Sequence, residues 1–130
     1  MLDAFAWFWM GLGVLSGAWI GLRFREPGFL GGYDAWPRRL VRLGHIAFFG
    51  TGLLCLGLAG TLSRHPIGEG WARAATWLMV GGAALMPVMC GVCARWRRMV
   101  PAFGLPVALI GGSALITWVR IVGLSLEGAR

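Results

Sequence analysis

Residues 4–22, 46–62, 74–94 and 102–119 contain no charged side chain, and that pattern constrains this chain more than anything else in it. Each stretch approaches the roughly 20 apolar residues needed to cross a hydrocarbon core about 30 Å thick. Leu43, Gly44 and His45 can lengthen the second, so the spans are read as 4–22, 44–62, 74–94 and 102–119 of a single transmembrane domain covering 1–130. The stretches are apolar on every face, whereas strands of a membrane barrel alternate in polarity over about 10 residues. The expected fold class is therefore all-α, an integral membrane four-helix bundle.

Charged residues make up only 13% of the chain, against about 25% in a soluble domain. The 22 glycines and eight tryptophans suit a bilayer, where glycine is frequent in helices and tryptophan gathers at the interfaces. A net charge of +7, carried entirely by arginine among the cations, would suggest nucleic acid in a soluble protein. Here the arginines sit in short segments between apolar spans, so the expected partners are lipids and other transmembrane subunits, with no nucleic acid.

Arg23, Arg25, Arg38, Arg39 and Arg42 fall between the first two spans, and Arg95, Arg97 and Arg98 between the last two. Arg64, Arg73, Arg120 and Arg130 belong to the other side. By the positive-inside rule, both basic segments face the cytoplasm and both termini lie outside, in a bacterial inner membrane. No basic stretch precedes the first span, as a cleaved signal would require, so that span is read as retained.

Residues 23–43 divide into a turn-rich half, marked by Pro27-Gly28 and Gly31-Gly32, and an amphipathic half. Asp34 is placed to cap a short helix with Pro37 in its first turn. That helix is expected to lie in the inner leaflet before the second span begins. Arg38, Arg39 and Arg42, with Arg95, Arg97 and Arg98 opposite, are the expected contacts to lipid headgroups.

Gly13, Gly17 and Gly21 recur every fourth residue in the first span, and Gly104, Ala108 and Gly112 in the fourth. Stripes of this kind let helix backbones approach closely, either within one bundle or against a neighbour's helix. Pro87 and Pro106 are expected to interrupt hydrogen bonding in the third and fourth spans.

Met79, Met86, Cys90 and Cys93 share one face of the third span, with Met89 beside it. Packing is the ordinary use of such sulfurs, yet Cys90 and Cys93 also make a candidate metal site. The odd cysteine count argues against a disulfide framework. His45 is the candidate ligand for a cofactor, haem or chlorin, since a neutral imidazole is a common axial ligand. His65 is too far along the chain to complete a bis-histidine site, so no cofactor is expected in the isolated chain. The simpler role for His45 is a hydrogen bond to a headgroup, a carbonyl or a neighbouring subunit.

No charge lies within the spans, where an ionisable group would point to transport or catalysis. No Ser-His-acid or paired-carboxylate constellation appears, and the chain is not expected to be an enzyme. The expected function is a small accessory or structural subunit of a larger membrane complex, with electron transport, respiratory or photosynthetic, as the host. The alternatives are a haem-, pigment- or metal-binding membrane protein using His45 or Cys90 and Cys93, and a small homo-oligomeric channel or carrier.

Overall fold

A computed structural model describes residues 1–128 and is all-helical. Its helices are α1 (Leu2–Arg23), α2 (Trp36–Arg64), α3 (Glu69–Arg95) and α4 (Gly104–Glu127), each long and apolar enough to span a membrane. Two 3-10 turns, Phe29–Gly31 and Arg97–Phe103, occupy the connections before α2 and α4. Arg130, counted above with the outward arginines, lies outside the described residues.

All four helices run past the charge-free stretches at one end or both, because a charged side chain does not by itself stop helix hydrogen bonding. The overrun is greatest in α2, whose 29 residues make a rod roughly 44 Å long at 1.5 Å per residue. Its first two turns are the amphipathic segment expected to lie apart as an interfacial helix. Pro37 sits in the first turn, where its missing N–H is no loss, and no turn residue separates it from the apolar stretch. Asp34 does not cap: Ala35 holds that position, with no side-chain bond, while the Asp34 carboxylate pairs with Arg39 at 3.4 Å. Termination elsewhere follows local chemistry. α2 ends at His65, held extended ahead of Pro66, and α3 begins after Gly68 at φ +93°.

Pro87 lies inside α3, which continues through it. Pro106 is different from expectation, since it falls in the first turn of α4 and is buried there. A first-turn proline forfeits no helical hydrogen bond, so it starts the helix without breaking it.

Cross-helix contacts pair low numbers with high ones. Trp9 Nε1 donates to Thr51 Oγ1 at 3.0 Å, while Ser16 meets His45 at the other end of the same pair. Ser113 Oγ of α4 donates to Ala75 O of α3 at 2.7 Å. Neighbours in sequence are thus antiparallel neighbours in space. α1 packs on α2, α2 on α3 and α3 on α4, but among the described residues α1 and α4 form no packed interface. The helices make an open row, with α2 and α3 at its centre.

Antiparallel order gathers both arginine-rich connections at one end. Trp36 Nε1 donates to Cys93 O at 3.2 Å, and Arg97 stands over the Trp36 ring, tying the two connections together. At the opposite end, Leu2 and Ala6 of α1 meet Cys55 and Leu58 of α2 and Ala75, Met79 and Ala83 of α3 in the main buried cluster. A smaller cluster of Leu40, Met89 and Cys93 packs α2 on α3 toward the basic end.

Candidate functional site

His45 is the tenth residue of α2 and is half-buried between helices. Its Nδ1 is 3.0 Å from Ser16 Oγ of α1. The imidazole occupies space that only glycine leaves open: a Cβ on Gly17 would stand 2.5 Å from His45 Cε1. Phe49 meets the ring edge-on at 5.5 Å between centroids. The partner is therefore a hydroxyl of the preceding helix. The pairing of Ser16 with His45 and of Trp9 with Thr51 is what antiparallel symmetry about the turn at residues 30–31 produces.

Toward the basic end α1 and α3 diverge, leaving a cleft of about 280 Å³ lined by Trp9, Ser16, His45, Phe48, Pro87 and Cys90, among others. A Cβ on Gly44 would stand 3.0 Å from the Cys90 Cβ, so that glycine lets α2 and α3 close beneath the cleft. All three cysteines are free and buried. Met79 belongs to the main cluster, Cys93 and Met89 to the smaller one, and Met86 lines a groove on the other side of the row. Among the described residues no group of three or more His, Cys, Asp or Glu side chains is disposed to hold a metal ion.

The arginines divide by environment. Arg38, expected at headgroups, is 5% exposed and turned inward. Its Nη2 donates to Phe24 O at 2.8 Å and its Nη1 to Pro27 O at 3.4 Å, and the guanidinium lies 4.3 Å from the Phe24 ring centroid. The carbonyls left free where α1 ends attract a cation, and Arg38 is the one within reach. Arg42 stacks on Tyr33 and donates to its carbonyl. Arg39, Arg95, Arg97 and Arg98 remain exposed.

The glycines divide as well. Gly13 abuts Phe48 and Phe49, and Gly17 abuts His45, whereas a Cβ on Gly21 would meet nothing within 4 Å. On α4, Gly112 makes an ordinary contact with Leu78, a Cβ on Gly104 would meet nothing, and Ala108 is exposed. The face of α4 that packs on α3 is instead Pro106, Ile110, Ser113 and Thr117, received by Gly82, whose Cβ would stand 2.5 Å from Ile110 Cγ1. Gly44, Gly52 and Gly82 make these close approaches although they lie outside the two four-residue stripes.

Between α2 and α4, across α3, runs a lengthwise apolar groove with two wider sections of about 660 and 400 Å³. Its walls carry Gly50, Gly57 and Gly111, and its floor Met79 and Met86. No protein-family model, curated protein or solved structure matches this chain.

Proposed function

We propose that this chain is a small accessory subunit of a larger complex in a bacterial inner membrane, and that the α2–α4 groove seats a transmembrane helix of a neighbouring subunit. The observation that carries this reading is that Gly50, Gly57 and Gly111 line the groove while a Cβ on any of them would meet nothing within this chain. In lipid there is no water to drive helices together, and small residues matter because they admit close backbone packing. Gly104 and Ala108 extend the same provision on the outer side of α4. Hydroxyls within the spans bond mainly to carbonyls of their own helices, leaving the chemistry to the partners.

Electron-transport assemblies are the host we favour, by analogy with the small helical proteins that surround catalytic subunits in energy-transducing membranes. The arginine asymmetry supports an orientation with the basic end in the cytoplasm and both termini outside. The test is purification of the tagged chain from its native membrane in mild detergent. Wild type is expected to bring unlike membrane subunits in fixed ratio, and Gly111→Leu to lose them while the chain itself still accumulates. Recovery of the wild type alone, or only as copies of itself, would overturn the reading.

A further inference from the structure

We propose that the cleft between α1 and α3 is the deep half of a phospholipid site, in which one acyl chain lies in the cleft and Arg95 holds the phosphate of an anionic headgroup at the basic end. The site uses the face of α2 that carries Val41, Gly44 and Phe48, whereas the groove given to a partner helix uses Leu43, Ala47 and Gly50. Either assignment can fail without the other.

The cleft continues toward the arginines. A second hollow, of about 550 Å³, lies along the same α2–α3 seam and is lined by Leu30, Pro37, Ala94 and Arg95. Val41 and Gly91 line both hollows, so the two form one furrow. Gly91 stands at their junction, exposed, and a Cβ there would meet nothing within 4 Å. The furrow follows α2 from Pro37 to Phe48, roughly 16 Å at about 1.5 Å per residue, and one leaflet of a hydrocarbon core about 30 Å thick is about 15 Å deep. It therefore begins at the arginines and reaches about as deep as one acyl chain.

The lining changes along that length as a lipid does. Trp9, Ile20, Phe48, Pro87 and Val88 wall the deep section, whose volume is about 280 Å³. One helical turn, about 10 Å across and 5.4 Å tall, fills roughly 400 Å³, so a partner helix does not fit there, whereas a bare hydrocarbon chain brings no side chains to house. The shallow section is wider and is bordered by a cation. Arg95 is exposed and stands 5.8 Å from the Trp96 ring centroid, with no hydrogen-bond or ion-pair partner among the described residues. Its planar guanidinium matches a phosphate through two parallel hydrogen bonds. Seven further arginines share this end with only two carboxylates, Glu26 and Asp34, and Asp34 is already paired with Arg39. That excess favours a headgroup of net negative charge over a zwitterion.

The test uses the full chain in phosphatidylcholine nanodiscs carrying a small fraction of a photoreactive probe, either phosphatidylglycerol or phosphatidylcholine with a diazirine midway along one acyl chain. Illumination with the phosphatidylglycerol probe is expected to label Phe48, Val88 and their furrow neighbours saturably. The phosphatidylcholine probe should label them at least about fivefold less, the scale of one cation at a membrane surface. Arg95→Gln should remove most of that preference, and Arg98→Gln, an exposed arginine outside the furrow, should retain it. Gly91→Leu places its side chain in the open junction and should abolish furrow labelling in a protein of unchanged helicity, whereas Gly11→Leu, equally open but on another face, should not. Even labelling of all four helices, equal labelling by the two probes, a preference unchanged by Arg95→Gln, or furrow labelling that survives Gly91→Leu would each overturn the proposal.

Discussion

Gly17 and Gly21 are one helical turn apart in the same stripe, yet their surroundings are opposite. A methyl on Gly17 must displace the imidazole of His45, while one on Gly21 enters open space. Gly17→Ala is accordingly expected to destabilise the chain by about 1–3 kcal/mol, the usual cost of overpacking. Gly21→Ala should be neutral or stabilise by up to about 1 kcal/mol through reduced backbone freedom. Reversible unfolding in mixed micelles measures both, and equal effects would contradict the seating of His45 on Gly17. Arg38 and Arg39 make a second adjacent pair with unlike roles. The first holds two loop carbonyls from a buried position, and the second shares an exposed ion pair with Asp34. Arg38→Gln should cost about 2 kcal/mol, the scale of hydrogen bonds to a charged group, and hasten hydrogen exchange between residues 24 and 35. Arg39→Gln should leave exchange there unchanged, because exposed pairs contribute little.

Each helix pair is joined by a different device. α1 and α2 use glycines that receive aromatic rings, together with the Trp9–Thr51 and Ser16–His45 bonds. α3 and α4 use Gly82 against Ile110 and the Ser113 hydroxyl on Ala75 O. Because the Ser113 bond crosses between helices, Ser113→Ala should destabilise the α3–α4 pair by about 1 kcal/mol, within the range measured for bonds inside membranes. Thr61 bonds to Gly57 O within α2 itself, so Thr61→Ala serves as the control and should have almost no effect. The same unfolding titration distinguishes them, and equal losses would mean that the Ser113 bond does not hold the pair together.

In the row α4 packs on α3, and α1 packs on α2 but reaches α3 only at the end away from the basic connections, so a cleft opens on one side and a groove on the other. The row also makes the two basic connections converge, so sidedness can be read from two positions. Gly28 and Ser63 are exposed at opposite ends, and the native cysteines are buried beyond reach of a membrane-impermeant maleimide. Gly28→Cys is expected to react only from the cytoplasmic side and Ser63→Cys only from the outside. Ser63 is preferable to Gly68 for this purpose, because the φ of +93° at Gly68 would strain a replacement. Reaction of position 28 from the outside would reverse the proposed orientation.

Four helices and the asymmetry between their ends are legible in the sequence, since a charge-free segment of about 20 residues can satisfy its backbone in an apolar medium only by coiling on itself. The arginines collect in two of the three connections whatever the packing. Rotation of each helix about its axis is a different matter. Uniformly apolar residues specify no inward face, so equal four-residue spacing could not tell Gly17, which is packed, from Gly21, Gly104 or Ala108, which are not. Nor could a local reading tell that Arg38 would turn inward, because the carbonyls it binds become available only when α1 ends beside α2. The role of His45 depended on Ser16, 29 residues away, and on a glycine narrow enough to admit its ring. Those choices belong to the tertiary structure because close approach of two backbones, not burial from water, decides which side chains meet.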